Sequence, residues 1–91
     1  MRIDLHPRLC KRVARLSEAE RDQISEALRA LSDGFGYSHR HSGLGVRRLR
    51  KHVFECRTRL RWRIVLFAEK GVLTVYDVMT HDEIKTWLRG F

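Results

Sequence analysis

Residues 57–67 read RTRLRWRIVLF, with Arg57, Arg59, Arg61 and Arg63 on strict alternation. A period of two is a strand signature, because successive side chains leave opposite faces of a sheet. Trp62, Ile64 and Leu66 fall in the other phase, which gives the strand an apolar face and assigns Trp62 to the core. Wet strand faces are ordinarily filled with Thr, Ser, Lys or Glu. A row of four guanidinium groups is costly unless something negative lies across it.

The strand proper is LRWRIVLFA at 60–68, Arg57 belongs to the strand before it, and Arg59 and Arg61 fall at the turn between the two. Two more strand candidates flank this one. VRRLRKHVFECR covers 46–57, which a break near Lys51 would divide, and VLTVYDVM covers 72–79. Glu69-Lys70-Gly71 supplies a hairpin turn before the last strand. Further upstream, RIDLH at 2–6 suits a short edge strand with Ile3 and Leu5 on one face, and Pro7 suits the first turn of a helix. Leu9, Val13 and Leu16 then form an amphipathic stripe. Ser17-Glu-Ala-Glu20 matches a capping box that opens a second helix, with Ile24, Ala27, Leu28 and Leu31 as its apolar side. Residues 32–45, SDGFGYSHRHSGLG, read as a loop with four glycines. A second capping box, Thr80-His-Asp-Glu83, opens a short C-terminal helix whose Ile84, Trp87 and Leu88 face inward. The resulting order, β-α-α-β-β-β-α, predicts an α+β fold. An N-terminal helical hairpin covers one face of an antiparallel sheet, and the basic face is left open.

The 91 residues make one domain, 1–91, with room for one modest core. A net charge of +8 is a large excess for so short a chain, and 15 of its 19 basic residues are arginine. Arginine grips phosphate bidentately and stacks on bases, so this bias points to nucleic acid. The excess is also concentrated: from Arg40 to Arg63 there are nine Arg or Lys residues and one acid, Glu55. No apolar run approaches the roughly 18 residues of a membrane span, and MRIDLHPRL lacks the apolar core of a signal peptide. Cys10 and Cys56 stand far apart without a CxxC pair, as cytoplasmic thiols do. Cys56 is expected on the helical side of the sheet, buried. His39 and His41 in the glycine loop lack a third ligand at a sensible spacing, so no metal site is expected.

Taken together, these residues resemble the RelE/ParE toxin–antitoxin superfamily, and RelE-type toxins in particular. The resemblance is carried by four pieces in order. Arg48-Leu49-Arg50-Lys51 matches a Leu-Arg strand, and Phe54-Glu55-Cys56-Arg57 matches an F-E-x-R strand. Trp62-Arg63 opens an apolar strand, and Val78-Met79-Thr80-His81 ends a last strand on a histidine. Where many members carry a tyrosine soon after that histidine, this chain has Lys85 and Trp87.

The resemblance implies a bacterial type II toxin, a ribosome-dependent mRNA endoribonuclease that uses no metal or other cofactor. The 2′-hydroxyl attacks the adjacent phosphate, which calls for a base, an acid and cations around the pentavalent phosphorus. Carried over residue by residue, it implies Arg57, Arg63, His81 and Glu55 as catalytic. Arg47, Arg48, Arg50, Lys51, Arg59, Arg61 and His41 become RNA contacts. The base stays open between Glu55, His39, His41 and His52. Arg63 has a second reading, as a partner of Asp77 across the sheet. His81 has one too, as a histidine of the capping turn with no chemical role. The implied partners are the ribosome, mRNA and a cognate acidic antitoxin protein, all cytoplasmic. Two alternatives share parts of the pattern: a ParE-like inhibitor of DNA gyrase, and an RNA-binding module without catalysis.

Overall fold

The computed structural model describes residues 2–35, 43–59 and 61–90. The fold is α+β. Its five strands are β1 (Arg2–Leu5), β2 (Val46–Arg50), β3 (Val53–Arg57), β4 (Arg63–Glu69) and β5 (Val72–Met79). They form one sheet in the order β1-β5-β4-β3-β2. Three helices are present among the described residues: α1 (Pro7–Val13), α2 (Glu18–Gly34) and α3 (His81–Leu88). No helix among the described residues is long and apolar enough to cross a membrane.

Local signals in the sequence place the helix starts. Ser17 Oγ accepts from the Glu20 amide while the Glu20 carboxylate accepts from the Ser17 amide, and Thr80 and Glu83 repeat the exchange at α3. His6 caps α1, its Nδ1 accepting from the Arg8 amide, with Pro7 in the first position. α2 runs on to Gly34, so the first three residues of the expected glycine loop are helical. Lys70 and Gly71 have φ of +52° and +78°. Two consecutive left-handed residues make a tight hairpin between β4 and β5.

Three expectations are corrected. First, the segment 46–57 is two strands, reversed at Lys51 and His52, so the chain order is β-α-α-β-β-β-β-α. Second, the sheet is mixed: β1 lies parallel to β5, while all the other pairs are antiparallel. Side-chain alternation does not encode strand direction, so nothing local distinguished the two cases.

The alternating arginines divide, as expected, between two strands and the turn that joins them. β3 ends at Arg57 and β4 begins at Arg63, and these two residues stand directly opposite each other. Between them the chain turns, and the Thr58 amide and hydroxyl both donate to the Trp62 carbonyl, at 3.2 and 2.7 Å. Arg59 and Arg61 sit on that turn, exposed.

Third, the sheet has no face left wholly open. Ile64 and Leu66 pack with Leu9, Ile24, Leu31, Cys56 and Val75 under the helical hairpin. Val65, in the opposite phase, joins Val53, Met79 and Ile84 in a second cluster under α3, with Trp87, Leu88, Phe67 and Tyr76 packed around it. α3 thus covers the apolar half of the face where the basic residues were expected, and only the end near Arg57 and Arg63 stays accessible. Leu5, expected to share an apolar face with Ile3, is instead half exposed at the sheet edge.

Candidate active site

The pairing of β3 with β4 sets Arg57 against Arg63, and the pairing of β4 with β5 sets Arg63 against Met79. Two residues past Met79 the chain has already entered α3, and His81 is the first residue of that helix. Three positions spread over 25 residues of sequence therefore meet at one end of the sheet. With Gly45, Val46, Arg47 and Glu55 they line a cleft of about 520 Å³. A neighbouring cleft of about 350 Å³ is lined by Arg57, Arg63 and His81 again, together with Thr58, Arg61, Trp62, Thr80 and Asp82. Arg57, Arg63 and His81 border both and form the divide between them.

Glu55 lies beneath this divide. It is 1% exposed, and its Oε1 accepts from Arg63 Nη1 at 3.0 Å and from Arg47 Nη2 at 2.9 Å. Its other oxygen, Oε2, is buried with no hydrogen-bond partner among the described residues. Glu55 therefore orients two guanidinium groups from below and does not meet the cleft as an open side chain. Arg63 pairs with Glu55, and Asp77 instead takes Arg8 Nε at 2.9 Å and Arg12 Nε at 3.7 Å, which removes the Arg63–Asp77 reading. Held by Glu55, the Arg63 side chain is only partly exposed, while Arg57 is exposed.

The backbone contributes as well. Gly45, with φ of +73°, accepts from the Arg57 amide through its carbonyl at 3.1 Å. An L-residue at this φ would be strained, and Gly45 sets the wall of the cleft opposite His81. His81 follows the Thr80 cap, so the unpaired amides of the first turn of α3 lie at the cleft margin. There the helix dipole favours an anion.

α3 is itself held from behind. Arg12 Nη2 donates to Glu83 Oε2 at 2.8 Å, and Arg12 also reaches Asp77. The Thr80 amide, and after it Arg12, hold the Glu83 carboxyl below its usual range against a smaller opposing effect of burial. Trp62 is 4% exposed; its Nε1 donates to Glu20 Oε2, and Arg12 and Arg61 lie over its ring at 5.4 and 4.6 Å. The indole is thus a core residue and not a stacking platform for bases. Burial, and then the Glu55 charge, push the Cys56 thiol up to about 11, and its Sγ donates to the Leu44 carbonyl. A thiol held protonated in this way is not a nucleophile.

The remaining residues implied as RNA contacts divide by position. Arg47 lines the cleft and Arg61 its neighbour. Arg48 and Arg50 fold onto carbonyls of their own turn, at Arg50, Lys51 and Leu49, and with Lys51 they stay exposed on the outer hairpin. Arg59 faces a separate small cleft beside α2. His52 lies 4.0 Å from Glu69 at the far end of β4, away from the cleft. His39 and His41 lie outside the described residues.

Sequence reasoning missed Gly45, Thr58 and Asp82 at the cleft and the cations of α1 behind it. α1 and its closing turn carry Arg8, Lys11, Arg12 and Arg15 without an acid, a charge pattern that was legible but was passed over for the denser segment 40–63.

No protein-family model, no curated protein and no solved structure matches the chain.

Proposed function

We propose that this chain is an endoribonuclease that cuts mRNA on the ribosome by attack of a 2′-hydroxyl on the adjacent phosphate. It would act as the toxin of a cytoplasmic toxin–antitoxin pair. One observation carries the reading: two arginines and a histidine from three different elements border a single accessible cleft, backed by a buried carboxylate that fixes one of the arginines. In the reaction the 2′-oxygen bonds to phosphorus, the bond to the 5′-oxygen breaks, and a 2′,3′-cyclic phosphate and a free 5′-hydroxyl result. Arg57 and Arg63 stabilise the charge on the pentavalent phosphorane. His81, which lines the cleft, protonates the departing 5′-oxygen. Among the described residues the cleft that holds Glu55 offers the 2′-hydroxyl proton no open carboxylate, since Glu55 is buried under its arginines and Asp82 lines the neighbouring cleft instead. We assign its removal to water or to a group of the ribosome.

Cell-free translation with purified protein tests the proposal, with the mRNA ends mapped in the presence and absence of ribosomes. The expected result is cuts at codon positions that appear only with ribosomes and leave 5′-hydroxyl ends. Intact mRNA and unaffected translation would overturn the proposal and turn attention to the supercoiling activity of gyrase. A toxin needs restraint in its own cell. An acidic antitoxin, disordered until bound, would be drawn to the +8 charge of this chain.

A further inference from the structure

A third cleft adjoins the second of the two that Arg57, Arg63 and His81 border. A groove of about 440 Å³ beside α1 shares Arg61 and Trp62 with the second cleft and is lined further by Arg8, Lys11, Arg12 and Arg15. These cations are not equivalent. Arg8 and Arg12 are committed to the buried Asp77. Lys11 and Arg15 are exposed and form no ion pair with any described residue. Both line the groove, so it carries positive charge without a paired acid, which a bound polyanion would neutralise.

We propose that this groove binds the phosphate backbone of an RNA strand as it leaves the cleft, with Lys11 and Arg15 contacting phosphates remote from the scissile bond. The inference rests on the reading of the cleft as a ribonuclease site and extends it to the path of the strand. Two features favour RNA over an acidic protein segment. The groove adjoins the second cleft at Arg61, so one phosphate chain crossing that side chain can reach both. The groove also offers little apolar anchorage. Its indole is buried with Arg12 and Arg61 against its ring, which leaves Leu16 as the remaining apolar side chain along it. A backbone-reading groove makes contacts that are sequence-independent and strongly dependent on salt.

The test is fluorescence anisotropy at low salt with uncleavable single-stranded RNA, its 2′-hydroxyls methylated. It compares a dinucleotide with a strand of about ten nucleotides. Wild type is set against the double variant K11A/R15A, whose exposed positions leave the core untouched. The expected result is unchanged binding of the dinucleotide and weaker binding of the longer strand. For the longer strand the slope of log K against log salt should fall by about 1.4, two phosphate contacts at about 0.7 each. Equal binding of the longer strand by both proteins would overturn the groove. So would an equal loss for both lengths, or a wild type that binds neither. Weakened binding of an acidic partner protein with RNA binding unchanged would likewise reassign the groove to that partner. The ribonuclease reading is decided separately by the mapped mRNA ends, so either can fail while the other stands.

Discussion

Two carboxylates are buried to the same degree in this protein, Glu55 and Asp77, each 1% exposed and each gripped by two arginines. They differ in what is left over. Both oxygens of Asp77 are engaged: Oδ2 accepts from Arg8, and Oδ1 accepts from the Val78 amide and faces Arg12. Glu55 concentrates Arg47 and Arg63 on one oxygen and leaves the other without a partner. The arginines of Asp77 come from α1 and tie that helix to β5. Those of Glu55 come from the flanking strands β2 and β4 and line an open cleft. A satisfied buried charge is part of the scaffold, whereas a half-satisfied one that holds cations at a cleft keeps them available for another anion.

The contrast is broken first where the effects are largest. On the Glu55 side, His81→Ala should lower ribosome-dependent cleavage by about 10² to 10⁴-fold, the range for one acid or base, with the urea midpoint unchanged. A loss below about threefold would return His81 to the capping turn without chemistry. On the Asp77 side, Asp77→Ala should reduce stability by about 1–3 kcal/mol, because the buried Val78 amide loses its acceptor and Arg8 and Arg12 lose a shared counter-charge. Urea denaturation followed by circular dichroism reads this directly. A change under about 1 kcal/mol would show that Asp77 is not the structural member of the pair.

How much of this was legible in the sequence depends on the distance over which each feature is encoded. The two capping boxes, at Ser17 with Glu20 and at Thr80 with Glu83, and the turn at Lys70-Gly71 are contained within four residues and were read correctly. The turn that carries Arg59 and Arg61 between two strands was legible as well, and the Thr58–Trp62 hydrogen bonds close it. The parallel partner of β1 and the Asp77 ion pairs, 65 to 69 residues apart, leave no local trace. Arg57, Arg63 and His81 were named through a family resemblance and not through any periodicity. Their meeting in one cleft is a product of strand register. The burial of Glu55 beneath them had no signal at all, since a carboxylate among arginines reads the same exposed or buried.

Glu55→Gln sharpens the comparison at an intermediate size. It keeps the shape and removes the charge that orients Arg63 and Arg47. Cleavage should fall about tenfold, the scale on which a displaced positioning contact acts. Stability should shift by less than about 1 kcal/mol, since removing a buried charge with an unpaired oxygen offsets the loss of its ion pairs. Asp77→Asn, by contrast, should still destabilise measurably. Equal stability losses for the two amides would erase the distinction drawn above.

The smallest effect expected joins the two sites. Arg12 bridges Asp77 to Glu83, and Glu83 anchors the first turn of the helix that carries His81. The Glu83 carboxyl is held below its ordinary value of 4.5 by the Thr80 amide and Arg12, so the folded protein binds its proton less readily than the unfolded chain does. The stability it contributes is therefore complete above about pH 4.5 and is lost as pH falls from there through the folded value. Glu83→Gln retains the capping geometry, because glutamine also closes a capping box, and removes only the charge. The gap in urea midpoint between wild type and Glu83→Gln should be present at pH 7 and close below pH 4.5. A gap that stayed constant with pH would mean that Arg12 does not carry charge coupling from α1 to α3. The scaffold site would then have no electrostatic hold on the helix that presents His81.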